Sequence, residues 1–415
     1  MDEDIKSNLK LVVESSMLRK LSKSVEESDT HYEFTIRQQH LSTNISALQE
    51  LFKTVDLKDN SNLSNDILSS LILLSKELQS KGEWNTEESM NFSKSLNSGF
   101  ESLYLISIDD ILKSVITPFP TQTLFDLCLA KLHSKLTIQE FKHYPSLVEV
   151  YCLLIESLAN YKVKVTPSAI LPISLLLIDD YNKAYKLKGL KCCQTILKAQ
   201  TQKDFLNGNY HEVIYISLGN ALREKDLAVT KLLLECFMEF MRILPATEKV
   251  DTMDNIFLKV LEEMATEANF DRKLAYFAFL QKFIPIHGIN CVKRKRRLFA
   301  IIVENIDMCT NQPIRKVMLD DTLKCLKIWI QYCWSGFKYT SDAKLISIML
   351  KIMYVLEDKE RKHIAETERL LEALVHLSGK DNEKQIVLSL TDICNKNNKL
   401  KKRFDKLLTN LKPTV

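Results

Sequence analysis

Leu171-Pro172-Ile173-Ser174-Leu175-Leu176-Leu177-Ile178-Asp179-Asp180-Tyr181-Asn182-Lys183-Ala184-Tyr185-Lys186-Leu187-Lys188-Gly189 is the stretch on which the fold turns. It reads as a buried helix running to Asp179-Asp180, a tight turn, and a second helix. Asp180 or Asn182 can cap the second helix by accepting a backbone N–H bond. Pro172 suits a first-turn position, where its missing N–H costs nothing. Gly189 falls within the second helix, where glycine costs about 1 kcal/mol relative to alanine. Close approach to the preceding helix is the expected compensation. The two aspartates lack a His or third carboxylate at ligand spacing, so capping is preferred to metal binding.

Outward from this hairpin, apolar residues recur at three- and four-residue spacing and polar breaks are short. Leu147–Leu158 precedes Ile170–Ile178, and Tyr185–Leu197 follows it. Val213–Leu222 pairs with Ala228–Leu244, and Met253–Met264 with Lys273–Phe283. Leu298–Ile306 pairs with Arg315–Tyr332, and Leu345–Leu356 with Ile364–Leu377. First helices begin near Leu171, Ile214, Ile256, Leu298 and Leu345, a spacing of 42 to 47 residues. HEAT and armadillo repeats have periods of about 40–47 residues. One helical hairpin cannot hide its apolar face alone, so neighbours stack. The expected fold class is therefore all-α, an α-solenoid of degenerate HEAT/armadillo-like helical hairpins. Residues 1–100 form a less regular helical region, with a helix over Ile36–Val55, a loop over Asp56–Asn65 and a helix over Ile67–Leu78. Residues 101–415 carry the repeats and C-terminal capping helices.

Composition supports this. Only 8 Gly and 9 Pro occur in 415 residues, about 4% against roughly 12% in average usage. Sandwiches, barrels and doubly wound enzymes need turn residues far more often. The few breakers punctuate candidate junctions at Pro167, Gly208, Pro245, Pro285 and Gly288. The 57 basic and 53 acidic residues leave a net charge of +4, too balanced for nucleic acid or anionic lipid as the main partner. The ten cysteines are scattered and read as buried, reduced thiols, Cys192-Cys193 and the Cys325/Cys333 pair included. The start MDEDIKSNLK lacks a signal-peptide core, and no apolar run is long enough to span a bilayer.

No glycine-rich phosphate loop, nucleophile elbow, kinase signature or H-E-x-x-H pattern is present. No catalytic residue, cofactor or metal is expected. Lys293-Arg294-Lys295-Arg296-Arg297 is the one dense basic run. It reads equally as a nuclear-localisation or partner patch and as a solvated first turn at an inter-repeat edge. Lys399–Arg403 reads as the polar face of a capping helix. Asp320-Asp321 lies inside a helix and reads as a solvated face or as a salt bridge with Lys316 or Lys324 at helical spacing. His133 and His143 flank a loop and read as surface residues. Trp329, Tyr332, Trp334, Phe337 and Tyr339 suggest inter-helix packing, with a partner-binding patch as the alternative.

The Leu-Pro opening at Leu171-Pro172, the Asp179-Asp180 turn and Lys186 with Gly189 resemble the second Tel-two-interacting protein family. That family supplies the smallest subunit of the triple-T co-chaperone complex. The resemblance is clearest from Pro167 to Met241. It implies a non-enzymatic scaffold of helical repeats, bound to the first Tel-two-interacting protein and the Tel-two protein. Through them it implies work with the heat-shock protein 90 machinery on phosphatidylinositol 3-kinase-related kinases. DNA-damage signalling, growth control through TOR and telomere maintenance would follow, in the cytoplasm and also the nucleus. The competing reading is a HEAT-repeat adaptor in nuclear transport or vesicle traffic, motivated by the basic run. A HEAT-like DNA glycosylase would need a basic concave face with an acid among aromatics, which near-neutral charge and scattered aromatics argue against.

Overall fold

With so few glycines and prolines, the chain turns where Asn, Asp and Thr side chains take over the first N–H groups of a helix. In the computed structural model, which describes residues 3–28, 30–54, 63–113, 119–338 and 343–411, such caps recur. Asn182 Oδ1 accepts from Ala184 N at 2.8 Å. Asp226 Oδ1 accepts from Ala228 N and Val229 N at 2.9 and 3.1 Å, and Asn269 Oδ1 from Arg272 N at 3.1 Å. Each cap contributes about 1 kcal/mol.

The described residues form helices and turns, with no strand among them. The chain divides into two compact units, Met1–Ser217 and Leu218–Val415. The first holds α1 (Glu3–Ser16), α2 (Tyr32–Thr54), α3 (Asn65–Gln79) and α4 (Glu87–Tyr104). It continues with α5 (Thr121–Lys135), α6 (Pro145–Glu156), α7 (Pro167–Asp179), α8 (Lys183–Ala199) and the short α9 (Gln202–Leu206). Helix α10 (Tyr210–Ala221) carries the boundary. The second unit holds α11 (Leu227–Ile243), α12 (Lys249–Thr266), α13 (Phe270–His287), α14 (Lys295–Met308) and α15 (Gln312–Cys333). It ends with α16 (Ala343–Val355), α17 (Arg361–Leu377), α18 (Lys380–Lys396) and α19 (Asn398–Leu411).

Within the second unit the hairpins form two rows: α12, α14 and α16 pack in one, and α11, α13, α15 and α17 in the other. The sequence period reappears as the register of polar contacts between hairpins. Lys225 meets Glu263 38 residues away, Arg272 meets Thr230 at a separation of 42, and Gln312 meets Glu357 at 45. In the first unit Gln122 reaches the Lys164 carbonyl, 42 residues on.

Several expectations change. Pro167, not Pro172, takes the first helical turn of α7, and Pro172 lies inside the helix. There it removes one interior hydrogen bond. Pro285 also sits inside a helix, in the last turn of α13, and the break falls one turn later at Gly288 with φ +59. The loop expected over Asp56–Asn65 lies outside the described residues for 56–62, while Ser64 caps α3 and Asn65 opens it. Asp320 and Asp321 sit within α15 but do not pair along it. Lys362 Nζ reaches Asp320 Oδ1 at 2.6 Å and Gln281 Nε2 donates to Asp321 Oδ1 at 3.0 Å. Neighbouring hairpins bring these donors directly opposite, whereas Lys316 and Lys324 stand beside them on the same helix.

The region of residues 1–100 lies in the first unit and is built around a buried charge pair. Arg37 Nη2 lies 2.9 Å from Glu77 Oε1, both side chains fully withdrawn from solvent. Arg37 also donates to the Ser16 and Trp84 carbonyls at 3.1 and 2.7 Å. Glu77 accepts from Leu18 N at 2.9 Å and Ser146 Oγ at 3.3 Å. Burial pushes the Glu77 carboxyl up, against the pull of Arg37 and these donors. A buried ion pair is tolerable only when its remaining hydrogen-bonding capacity is met in this way.

All ten cysteines are free and buried. Burial pushes the Cys128 thiol up to about 12, which leaves it a poor nucleophile.

Candidate functional site

Helix α8 starts where Asn182 caps it, and α7 ends where Asp180 leaves the helical conformation with ψ 147. Between them Asp180 Oδ1 accepts from Asn182 N at 2.7 Å, so both capping candidates are used, one for the turn and one for the helix. Gly189 then lets α8 lie against α7. A Cβ there would stand 2.6 Å from Ile178 N and 2.7 Å from Ser174 O, both backbone atoms. The close approach expected from the sequence is present, and Lys186 is buried beside it.

A groove of about 950 Å³ opens on the other side of α7. Its apolar lining includes Leu136, Phe141, Pro172, Ile173 and Leu176, with Ile138 and Tyr181 on its rim, 81% and 77% exposed. Pro172, Leu176 and Asp179 follow helical spacing, so one face of α7 supplies both the apolar floor and one polar end. Leu171 points the other way and is buried.

The polar end is closed by a segment far away in sequence. Lys142 Nζ lies 3.0 Å from Asp180 Oδ2, 2.9 Å from Glu26 Oε2 and 3.8 Å from the Tyr181 ring centroid. Tyr181 OH donates to Glu26 Oε2 at 2.6 Å and Asn182 Nδ2 to Glu26 Oε1 at 2.5 Å. Burial opposes ionisation of Glu26, but the bonds from Tyr181, Lys142 and Asn182 outweigh it and hold the carboxyl below its ordinary value. Burial likewise works against the Lys142 charge, and Glu26 and Asp180 overcome it, raising that ammonium.

His133 and His143, expected at the surface, are part-buried instead. His133 Nε2 bonds the Ala169 carbonyl at 2.7 Å and His143 Nδ1 the Leu21 carbonyl at 3.0 Å. Asp179 Oδ1 accepts from Ser217 Oγ at 2.8 Å. His133 and Asp179, which line the groove, are thus each committed to a structural partner. Among the described residues no group of three or more His, Cys, Asp or Glu could hold a metal ion. What the groove offers is an apolar floor closed at one end by the Lys142–Glu26–Asp180 cluster.

The basic run lies in the second unit, over a 3-10 segment (Gly288–Arg294) and the first turn of α14. Arg294 pairs with Asp254 and Arg297 with Glu262. Lys295 Nζ donates to the Gly336 carbonyl at 2.5 Å. Lys293 and Arg296 are exposed. Three of the five cations therefore hold hairpins together, which the run of charge by itself does not reveal. The aromatic group divides as well. Trp329 and Phe337 are buried in a T-shaped contact, 4.7 Å between centroids. Tyr332 and Trp334 are 45% and 48% exposed, and Tyr339 lies outside the described residues. In α19, Arg403 is no free polar face: it donates to the Met353 carbonyl at 2.5 Å and to Asp358 Oδ1 at 2.8 Å.

No protein-family model matches the chain. It is 24% identical over 252 residues to mouse TELO2-interacting protein 2, covering 59% of this chain and 48% of the mouse protein. It is 22% identical over 255 residues to the human protein of that name, covering 60% and 49%. The chain thus spans about half the length of the curated relatives it matches. Among solved structures, the crystal structure of Kap121p bound to Nup53p superposes with a TM-score of 0.52 at 12% identity. That likeness covers 99% of this chain and 37% of the other, and it shows the fold alone. The fold is the expected all-α class of HEAT-like helical hairpins. By its sequence, the chain is distantly similar to the proteins named TELO2-interacting protein 2.

Proposed function

We propose that this chain is a non-catalytic scaffold subunit of a triple-T co-chaperone complex. In this reading it binds a first Tel-two-interacting protein and, through it, a Tel-two protein. The assembly acts with the heat-shock protein 90 machinery in the maturation and stability of phosphatidylinositol 3-kinase-related kinases. The observation that carries this reading is the sequence likeness to proteins named for interacting with TELO2. The groove on α7 supports it, because residues that carry the resemblance, Pro172, Asp179 and Asp180, line a preformed apolar surface whose two carboxylates already have partners in Ser217 and Lys142. We assign the contact with the larger helical-repeat partner to this groove. The protein would work in the cytoplasm and also the nucleus, where its buried thiols stay reduced. Among the described residues no helix is long and apolar enough to cross a membrane.

Affinity purification of the tagged full chain tests this. It should recover two larger helical-repeat proteins and a giant kinase. Ile138→Asp with Leu176→Asp should reduce that recovery about tenfold, since placing charge in an apolar contact costs upwards of ~1.4 kcal/mol. Recovery of the chain alone, or of transport factors only, would refute the assignment to the complex. Full recovery with the groove variant would refute the groove.

A further inference from the structure

The exposed aromatics and the remaining cations of the basic run meet on one edge of the second unit, remote in sequence from the groove on α7. Cys333 Sγ lies 3.3 Å from the Gly288 carbonyl, and Lys295 Nζ bonds Gly336 O while standing 5.2 Å from the Phe337 ring centroid. These contacts press the 3-10 segment Gly288–Arg294 against the turn that ends α15. Ile286 and Ile289 on one side and Tyr332 and Trp334 on the other are each about half exposed, between 45% and 52%.

The two chain segments that form this edge are basic. From Ile284 to Val303 the chain has five basic residues and no acid, and from Thr322 to Ser341 it has three lysines and no acid. Asp254 and Glu262 reach in from α12 to neutralise Arg294 and Arg297, and Glu366 of α17 takes Lys327. Lys293 and Arg296 remain exposed and meet no carboxylate among the described residues. Half-exposed Trp and Tyr beside Arg is the composition of an interface anchor.

We propose that this edge docks an acidic protein segment bearing an aromatic or aliphatic anchor. The anchor would pack on Trp334, Ile286 and Ile289, and its carboxylates would meet Lys293 and Arg296. Nucleic acid fits less well. Its affinity rests on many phosphate contacts, whereas here three of the five cations of the run are already tied down and two half-exposed isoleucines precede them in the chain. The proposal does not depend on membership of a co-chaperone complex.

Tryptophan fluorescence reads this directly. Of the three tryptophans, Trp84 and Trp329 are 6% and 1% exposed, and Trp334 is 48% exposed, so acrylamide quenching of the native chain reports on Trp334. The probe is a synthetic 15-residue peptide of Asp and Glu with one Phe and two Leu, titrated into the full chain at low and physiological salt. Binding should lower the quenching constant about twofold, shift emission to the blue and weaken with salt. Lys293→Glu with Arg296→Glu should weaken binding at least tenfold at unchanged circular dichroism, and Ile289→Ser should weaken it severalfold. Four results would overturn the proposal: no protection of Trp334, protection unaffected by the charge reversal, tighter binding of a single-stranded oligonucleotide, or protection that grows with protein concentration alone. The last would mean a second copy of the chain.

Discussion

Gly189→Ala should destabilise the first unit although alanine is the better helix former. The added Cβ would stand 2.6 Å from Ile178 N and 2.7 Å from Ser174 O, about 1 Å inside ordinary van der Waals contact. Neither atom belongs to a side chain that can swing away, so α7 and α8 must separate along their contact. Overpacking typically costs 1–3 kcal/mol, and rigid backbone on both sides puts this site near ~3. Alanine offsets ~1 kcal/mol through helix propensity, leaving a net loss of about 2 kcal/mol. For a unit of this size that lowers the melting temperature by about 4–8 °C. Gly219→Ala is the control, because its Cβ would meet only the flexible end of Lys259, at 3.0 Å. It should leave stability unchanged or raise it by up to ~1 kcal/mol. The assay is thermal unfolding by circular dichroism, with amide hydrogen exchange across α7 and α8 to localise the change. If Gly189→Ala melts at or above the wild type while exchange in α8 is unchanged, the close-approach argument is wrong.

Removing either partner of the buried Arg37–Glu77 pair, by Arg37→Ala or Glu77→Ala, should cost about 3–5 kcal/mol. Arg37→Met with Glu77→Leu should return to within ~2 kcal/mol of the wild type; a double variant as damaged as the singles, measured by urea unfolding, would argue against an uncompensated charge as the cause. The Glu26 clasp should be sensitive to acid. Because bonds in the folded state hold its carboxyl below the ordinary value, its contribution is present above the usual carboxylate range and is lost as pH falls through the lowered value. Protection from hydrogen exchange over residues 22–28, relative to the intrinsic rate at each pH, should therefore fall as the pH drops below the usual carboxylate range, and in Glu26→Gln that acid-linked step should be much reduced. Arg272→Met should destabilise the second unit by about 3 kcal/mol, since Arg272 pairs with Glu267 and ties the Glu224 carbonyl to Thr230 and Tyr276. A loss below ~1 kcal/mol in the same unfolding assay would show that these bonds contribute little net stability.

Helix positions were legible because burial of one face imposes a period of three to four residues locally. The expected Met253–Met264 is the centre of α12 (Lys249–Thr266), and Ile364–Leu377 falls within α17 (Arg361–Leu377). Helix ends were less legible. Pro172 resembled a start, but Pro167 already provides one, and a helix can continue past a proline at the loss of one hydrogen bond. Charged residues were the least legible. Nothing local separates Glu77, fully buried, from a solvated glutamate, and Asp320 finds its lysine on the next hairpin rather than one turn away.

By itself, then, the sequence determined the all-α class, the 42-to-47-residue hairpin period and the need for glycine at position 189. Each follows from local periodicity or from the cost of a residue in its own helix. Only tertiary structure decided which charges are structural and which remain available, because that depends on partners brought together across the chain. Glu26 reaches Asn182 over 156 residues and Arg37 reaches Glu77 across two helices. Arg294 and Arg297 are neutralised from α12 while Lys293 and Arg296, in the same run, stay exposed. Stacking hairpins converts a one-dimensional period into pairwise encounters, and those encounters decide where the chain can still bind something else.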